Sequence, residues 1–124
     1  MGEQTADQEE IAAVVQAYVD GCSRVDVELL RSAFVDSARM YGNFDGTHYD
    51  VPIQEFFDDV AGSPAPGSGY RSHVERVDVV GDGAIAVLAE EDYQGVDYVN
   101  LFSLIKVEGR WKITCKTFVA GGGS

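Results

Sequence analysis

Residues 98–118 constrain the fold more than any other stretch, because they read as two long strands that must pair with each other. Both arms are rich in β-branched and aromatic residues, and Glu108-Gly109 between them is a tight-turn pair. Plain alternation across that turn sets Asn100 opposite Thr117, Phe102 opposite Cys115 and Leu104 opposite Ile113 on one face. The other face takes Val99, Leu101, Ser103 and Ile105, with Lys112, Thr114, Lys116 and Phe118. The first face is apolar at Leu104 and Ile113 and turns polar at Tyr98, Asn100 and Thr117, the pattern of a core wall opening into a pocket. The second face is apolar enough to need a cover.

The upstream chain supplies what packs on that hairpin. Thr5 with Gln8 is a capping box, and Ile11, Val14, Val15, Tyr18, Val19 and Cys22 follow as one helical stripe. Asp26 caps a second, short helix carrying Val27, Leu29, Leu30, Ala33 and Phe34. Residues 39–44 form a strand that turns at Asp45-Gly46 and returns through residues 47–50. Pro52 opens a third helix, with Ile53, Phe56, Phe57 and Val60 as its buried stripe. The Gly/Ser/Pro run 62–69 is a loop and a candidate lid. Two more long strands, 70–80 and 84–93, flank Gly81-Asp82-Gly83. A three-residue turn there groups Val77, Val79, Ile85 and Val87, and also faces His73 with Glu91 and Arg71 with Tyr93. A two-residue turn shifts every pair by one. Helices gathered on one face of a curved antiparallel sheet make an α+β fold, here expected as a cone-shaped barrel wrapped around N-terminal helices.

A chain of 124 residues with 45% hydrophobic content supports a single domain over residues 1–120, with Gly121–Ser124 as a Gly/Ser tail outside it. No apolar run reaches the roughly 20 residues that cross a bilayer, and no basic-then-apolar leader opens the chain, so a cytoplasmic protein is expected. The net charge of −12 repels nucleic acid and anionic membranes, and neither is expected as a partner. Cys22 and Cys115 lack metal-ligand spacing and read as thiols rather than a disulfide. No His/Cys/carboxylate cluster and no phosphate-cradling glycine loop is present, so neither a metal nor a cofactor is expected. The acidic start from Glu3 to Glu10 and the pair Asp58-Asp59 read as solvated faces.

Three stretches carry a resemblance: residues 41–46 with Tyr49 and 52–57, residues 77–87 with Glu90-Glu91, and residues 102–118. Together with the element order they resemble the nuclear-transport-factor-2-like (NTF2-like) superfamily, also called SnoaL-like or ketosteroid-isomerase-like, and most of all its "putative lumazine-binding" branch. The resemblance covers nearly all of residues 7–118. It implies a dimer with a cavity between sheet and helices, and the branch label implies a heterocyclic ligand. It does not settle chemistry, because the superfamily holds isomerases, cyclases, dehydratases, hydrolases and plain binders. Matched to the ketosteroid isomerases, Tyr18 falls on their oxyanion-holding tyrosine. Gly42 falls where their aspartate base sits, and Phe102 where their protonated aspartate sits. A steroid-isomerase mechanism is therefore not expected.

The candidate site follows from the residues. Tyr18 is either a core tyrosine with its hydroxyl at the cavity edge or a hydrogen-bond donor to a developing oxyanion. His73 oriented by Glu91 is a candidate general base, set against an exposed cross-strand ion pair; Glu90 is the alternate partner if the register shifts. His48 reads as solvated. Asn100 bonds helix-end backbone or reads a ligand amide. Met40, Phe44, Tyr49, Phe56, Tyr93 and Phe102 read as apolar pocket wall, a role that core packing would fill equally well. Three functions stay open. The preferred one is a binder of a small apolar or heteroaromatic molecule. The second is a cofactor-free isomerase, cyclase or hydrolase in which His73, Glu91 and Tyr18 act. The third is a dimerisation module without ligand. All three carry a homodimer through the outer sheet face at Val99, Leu101, Ile105 and Phe118.

Overall fold

A computed structural model describes residues 5–121. The expected acidic start at Glu3 and the tail beyond Gly121 lie outside the described residues. Helix α1 spans Ala6–Arg24 and α2 spans Val27–Ser32. Strands β1 (Phe34–Phe44) and β2 (Thr47–Pro52) follow, then helix α3 (Ile53–Ala61). Four long strands close the order: β3 (Arg71–Val80), β4 (Gly83–Tyr93), β5 (Val96–Val107) and β6 (Arg110–Ala120). The strands form one curved six-stranded sheet in the order β2-β1-β6-β5-β4-β3. It is open rather than a closed barrel, with β2 and β3 as its edges, and β1 joins β6 in parallel, so the sheet is mixed.

Local chemistry sets the element ends. The Thr5–Gln8 capping box forms with both of its hydrogen bonds, and the Asp26 carboxylate accepts from the Leu29 N–H. The turns at Asp45-Gly46, Gln94-Gly95 and Glu108-Gly109 all place two successive residues at positive φ, which matches the twist of a two-residue hairpin. Phe34 does not belong to α2; the helix stops at Ser32 and Phe34 begins β1, where it pairs with Ile113. The acidic N-terminal turn of α1 is not merely solvated. Asp7 accepts hydrogen bonds from the Trp111 indole and the Lys106 ammonium, both at 3.0 Å, and the Glu10 carboxylate accepts from the Trp111 backbone N–H. These bonds clamp α1 to the turn end of β5 and β6. Core residues such as Ile11, Val15, Leu104, Trp111 and Ile113 fill the space between.

Two registers differ from plain alternation. The β3–β4 turn is two residues, Gly81-Asp82, rather than the three-residue turn or a two-residue turn at Asp82-Gly83: Val80 pairs with Gly83, and β3 bulges at Glu75. In β6, Ser103 pairs with Cys115 but Leu104 pairs with Ile113, so Thr114 is one residue extra. Its hydroxyl bonds the Ser103 carbonyl at 3.1 Å. The bulge reverses the facing of everything beyond it. Asn100 pairs with Phe118 and Phe102 with Lys116; Lys116 and Phe118 are buried, while Thr117 faces outward with Leu101. Phe118 therefore does not belong to the outer face, and Thr117 does not floor the pocket.

The inward Phe118 depends on Gly42, its neighbour on β1. A Cβ at Gly42 would overlap the Phe118 ring. The position therefore lacks more than the carboxylate of the isomerases: the space a side chain needs is already filled. Gly42→Ala is expected to destabilise the fold by about 1–3 kcal/mol, the cost of forcing a side chain into packed space, measured by urea denaturation. An unchanged midpoint would show that Phe118 does not pack there.

Candidate functional site

Between the sheet and helices α1 and α3 lies a half-open cavity of about 380 Å³. Its wall is aromatic because α1, α3 and every strand but β3 turn a ring into it. Tyr18 comes from α1, Phe44 from β1, Tyr49 from β2 and Phe56 from α3; Tyr93, Tyr98 and Phe118 come from β4, β5 and β6. The rings brace one another: Tyr18 stacks on Phe56 at 5.8 Å and meets the edge of Phe102 at 5.0 Å, and Tyr98 meets Phe118 at 6.1 Å. Met40 completes the apolar lining, and Glu55 and Asp59 stand on the exposed face of α3 at the mouth.

Two charged side chains are buried in this wall. Lys116 is 5% exposed. Its ammonium lies 4.4 Å from the Phe56 ring centre, 5.0 Å from Phe118 and 5.9 Å from Tyr18, with the Met40 sulfur at 3.9 Å. It forms no ion pair with a carboxylate among the described residues. Burial, opposed by the charges of Glu90, Cys22 and Asp59, holds its amine down to about 8. Glu90 is 4% exposed and accepts hydrogen bonds from the Tyr70 hydroxyl and, at 2.5 Å, from the Asn100 amide. The Asn100 carbonyl oxygen has no partner among the described residues. Burial first and the Glu90 charge second push the phenols of Tyr18, Tyr70 and Tyr98 above their ordinary range, so they keep their protons across neutral pH. For Tyr93, burial leads and Cys22 outranks Glu90. The Tyr18 hydroxyl sits against the Cys22 thiol one turn on, and burial pushes that thiol up to about 12.

Of the residues singled out from the sequence, Tyr18, Met40, Phe44, Tyr49, Phe56 and Tyr93 line this cavity. Asn100 and Phe102 are fully buried behind it, Asn100 bonding Glu90 rather than a helix end. The His73–Glu91 pair is not formed. The two-residue turn and the bulge at Glu75 pair His73 with Ala89 and Glu91 with Arg71, and both are exposed. His48 is exposed and bonds the Asn43 side chain. The residues missed are Lys116 and Tyr70, and Glu90 was only an alternate. A signal for Lys116 existed: Ile113 and Phe118 have opposite parity on one strand, and burying both requires one extra residue between them. Among the described residues, no group of His, Cys, Asp or Glu forms a metal cluster.

The buried amine makes stability depend on pH in a definite direction. Lys116 titrates at about 8 in the folded chain and at its ordinary 10.5 when unfolded. Between those values the unfolded chain binds the extra proton, so stability rises with pH. Cys22 opposes this above its ordinary 9.0, and the phenols above 10.0, so the window from 8 to 9 belongs to Lys116. Across it the wild-type chain is expected to gain about 1 kcal/mol relative to Lys116→Met, measured by urea unfolding at the two pH values. Parallel profiles for the two chains would contradict the buried position.

Known proteins share this architecture. A family model described as "Putative lumazine-binding" matches residues 6–119. The aldolase FrzH of Cladobotryum sp is 23% identical over 115 residues, covering 92% of this chain and 91% of its own. An NTF2-like protein of unknown function from Shewanella baltica is 30% identical, with a TM-score of 0.85 over 95% of this chain and 98% of its own. Another from Methylobacillus flagellatus has a TM-score of 0.89 at 23% identity, covering 96% and 95%. A ketosteroid isomerase-like protein from Erwinia carotovora atroseptica reaches 0.72 at 18% identity, covering 94% and 98%, a likeness of fold alone. The extent of the family match and the Shewanella baltica relative together establish that this chain belongs to the "Putative lumazine-binding" family of NTF2-like proteins.

Proposed function

We propose that the chain is a small-molecule-binding protein whose cavity holds a planar, uncharged, heteroaromatic or otherwise largely apolar molecule. The observation that carries this reading is an aromatic-walled cavity of about 380 Å³ with one buried cation and one buried anion in its wall. That volume lies at the small end of ligand sites, which run from roughly 300 to 1,000 Å³. Rings on several sides favour a flat ligand, while Lys116 offers donors and Glu90 an acceptor to fix its orientation. Glu55 and Asp59 at the mouth and the net charge of −12 disfavour an anion. The family description supports a ligand such as lumazine, a bicyclic dione with ring N–H and C=O groups. At 100 times its dissociation constant such a ligand adds about 2.7 kcal/mol of stability. Lumazine is expected to raise the melting temperature, and Lys116→Met or Glu90→Gln to weaken binding at least about tenfold through loss of one charged hydrogen bond. Lack of stabilisation by lumazine and by simpler planar heteroaromatics at millimolar concentration would contradict the reading.

A second reading, a cofactor-free enzyme, is favoured by the titratable groups gathered at the cavity and by likeness to a relative named an aldolase. Its proton-handling groups are Glu90 and Lys116 with Tyr18, in place of His73 and Glu91.

Under either reading the protein is a homodimer through the outer sheet face, and two copies cover each other there. Ile85, Leu101, Ile105, Val107 and Val119 are each at least 41% exposed on β4, β5 and β6. Sedimentation at micromolar concentration is expected to give a dimer, and Leu101→Lys with Ile105→Lys a monomer; a wild-type monomer would refute this interface. No helix among the described residues is long and apolar enough to cross a membrane. The free thiols of Cys22 and Cys115 support a place in the reducing cytoplasm.

A further inference from the structure

We infer that Lys116 is a nucleophilic amine that captures the carbonyl group of an aldehyde or ketone in the cavity as a protonated Schiff base. This deepens the reading of the cavity as a small-molecule site and rests on it. The geometry separates Lys116 from the chain's two other lysines. Lys106 is tied to Asp7 at 3.0 Å and Lys112 to the Ser32 carbonyl at 2.7 Å. The Lys116 amine has only the Met40 sulfur as hydrogen-bond partner among the described residues, and it faces the cavity. A lysine amine lacking a carboxylate partner and desolvated by an apolar pocket is the form that adds to carbonyls.

The surroundings suit each stage of the reaction. The ammonium first gives up a proton, and Glu90 is the buried acid–base group in the same wall. The nitrogen then attacks the carbonyl carbon, and the oxygen takes up a proton to give a carbinolamine. A further proton transfer from nitrogen to oxygen expels water and leaves the C=N bond. The overall change is ammonium plus carbonyl to protonated imine plus water, with one positive charge before and after. That charge stays where the Phe56, Phe118 and Tyr18 rings already surround it, so the product cation keeps the π contacts of the free lysine. Burial lowers the amine's proton affinity, and the charges of Glu90 from β4, Cys22 from α1 and Asp59 from α3 raise it, the last lining the mouth beside Glu55. The acidic mouth favours a neutral carbonyl compound over a carboxylate.

The test is reductive trapping of the full chain with benzaldehyde and cyanoborohydride, read by peptide mass mapping. One benzyl group is expected on Lys116, at least about tenfold faster at pH 7 than on Lys106 or Lys112, since an amine titrating near 8 is roughly one-tenth neutral there. The Lys116 rate is expected to level off above pH 8, whereas the rate at Lys106, whose amine Asp7 holds above its ordinary range, continues to climb. Lys116→Arg keeps the charge and is expected to lose the fast site. The mapping of the wild-type chain stands without any variant. Equal rates at all three lysines, or an unmodified Lys116 in a chain that benzaldehyde or lumazine stabilises, would overturn the inference and leave the binding reading in place. A chain that neither compound stabilises and benzaldehyde does not label at Lys116 would overturn both.

Discussion

The extra residue at Thr114 is the constraint on which the rest of the site depends. Strand β6 starts with Trp111 and Ile113 in the core, and strict alternation would continue inward with Cys115 and Thr117. The bulge hands the inward positions to Lys116 and Phe118 instead. Phe118 then lies over Gly42 of β1 and becomes one wall of the cavity, while Lys116 projects among Phe56, Tyr18 and Phe118. Burying that amine opposes folding. The aromatic faces and the Glu90 charge offset part of the cost, and Glu90 is in turn held by Tyr70 and Asn100. A structural core would avoid such an arrangement, because apolar residues of similar size give a more stable interior.

The electrostatic layout explains why the cavity selects as proposed. Glu55 and Asp59 ring the entrance, and the wall holds one cation and one anion that make no direct ion pair with each other. A strongly anionic guest meets carboxylates first. A neutral guest with an oxygen or an N–H would find a donor and an acceptor in place in an aromatic-lined cavity. The same features suit both the proposed ligand binding and the proposed carbonyl capture, which share one cavity rather than two sites.

Much of the fold was legible because it is written in local chemistry. The capping box at Thr5, the Asp26 cap, the apolar stripes of α1 and α3 and the X-Gly turns each depend on a few neighbouring residues, and each formed as expected. The site was less legible because it depends on strand register, which is long-range. At Gly81-Asp82-Gly83 several turns are compatible with the residues; grouping four aliphatics favours the three-residue turn, whereas the chain turns at Gly81-Asp82. Burial is shared instead between Val74, Val77 and Val79 on β3 and Ala86 and Leu88 on β4. That turn and the bulge at Glu75 together move His73 from Glu91 to Ala89. In β6 plain alternation from the Glu108-Gly109 turn sets Lys116 outward, because it allows no extra residue in the strand. Only the opposite parity of Ile113 and Phe118 marked the bulge.

The candidate site depends on Lys116 lying inside the aromatic cavity. With only three lysines in the chain, an NMR pH titration of protein labelled with ¹³C at the lysine ε-carbons gives three resonances and tests the point directly. One resonance is expected to be shifted upfield by the surrounding rings and to titrate near 8, far below that of Lys106, which Asp7 holds above the ordinary 10.5. Three unshifted resonances, all titrating in the ordinary range, would place Lys116 in solvent and contradict the account.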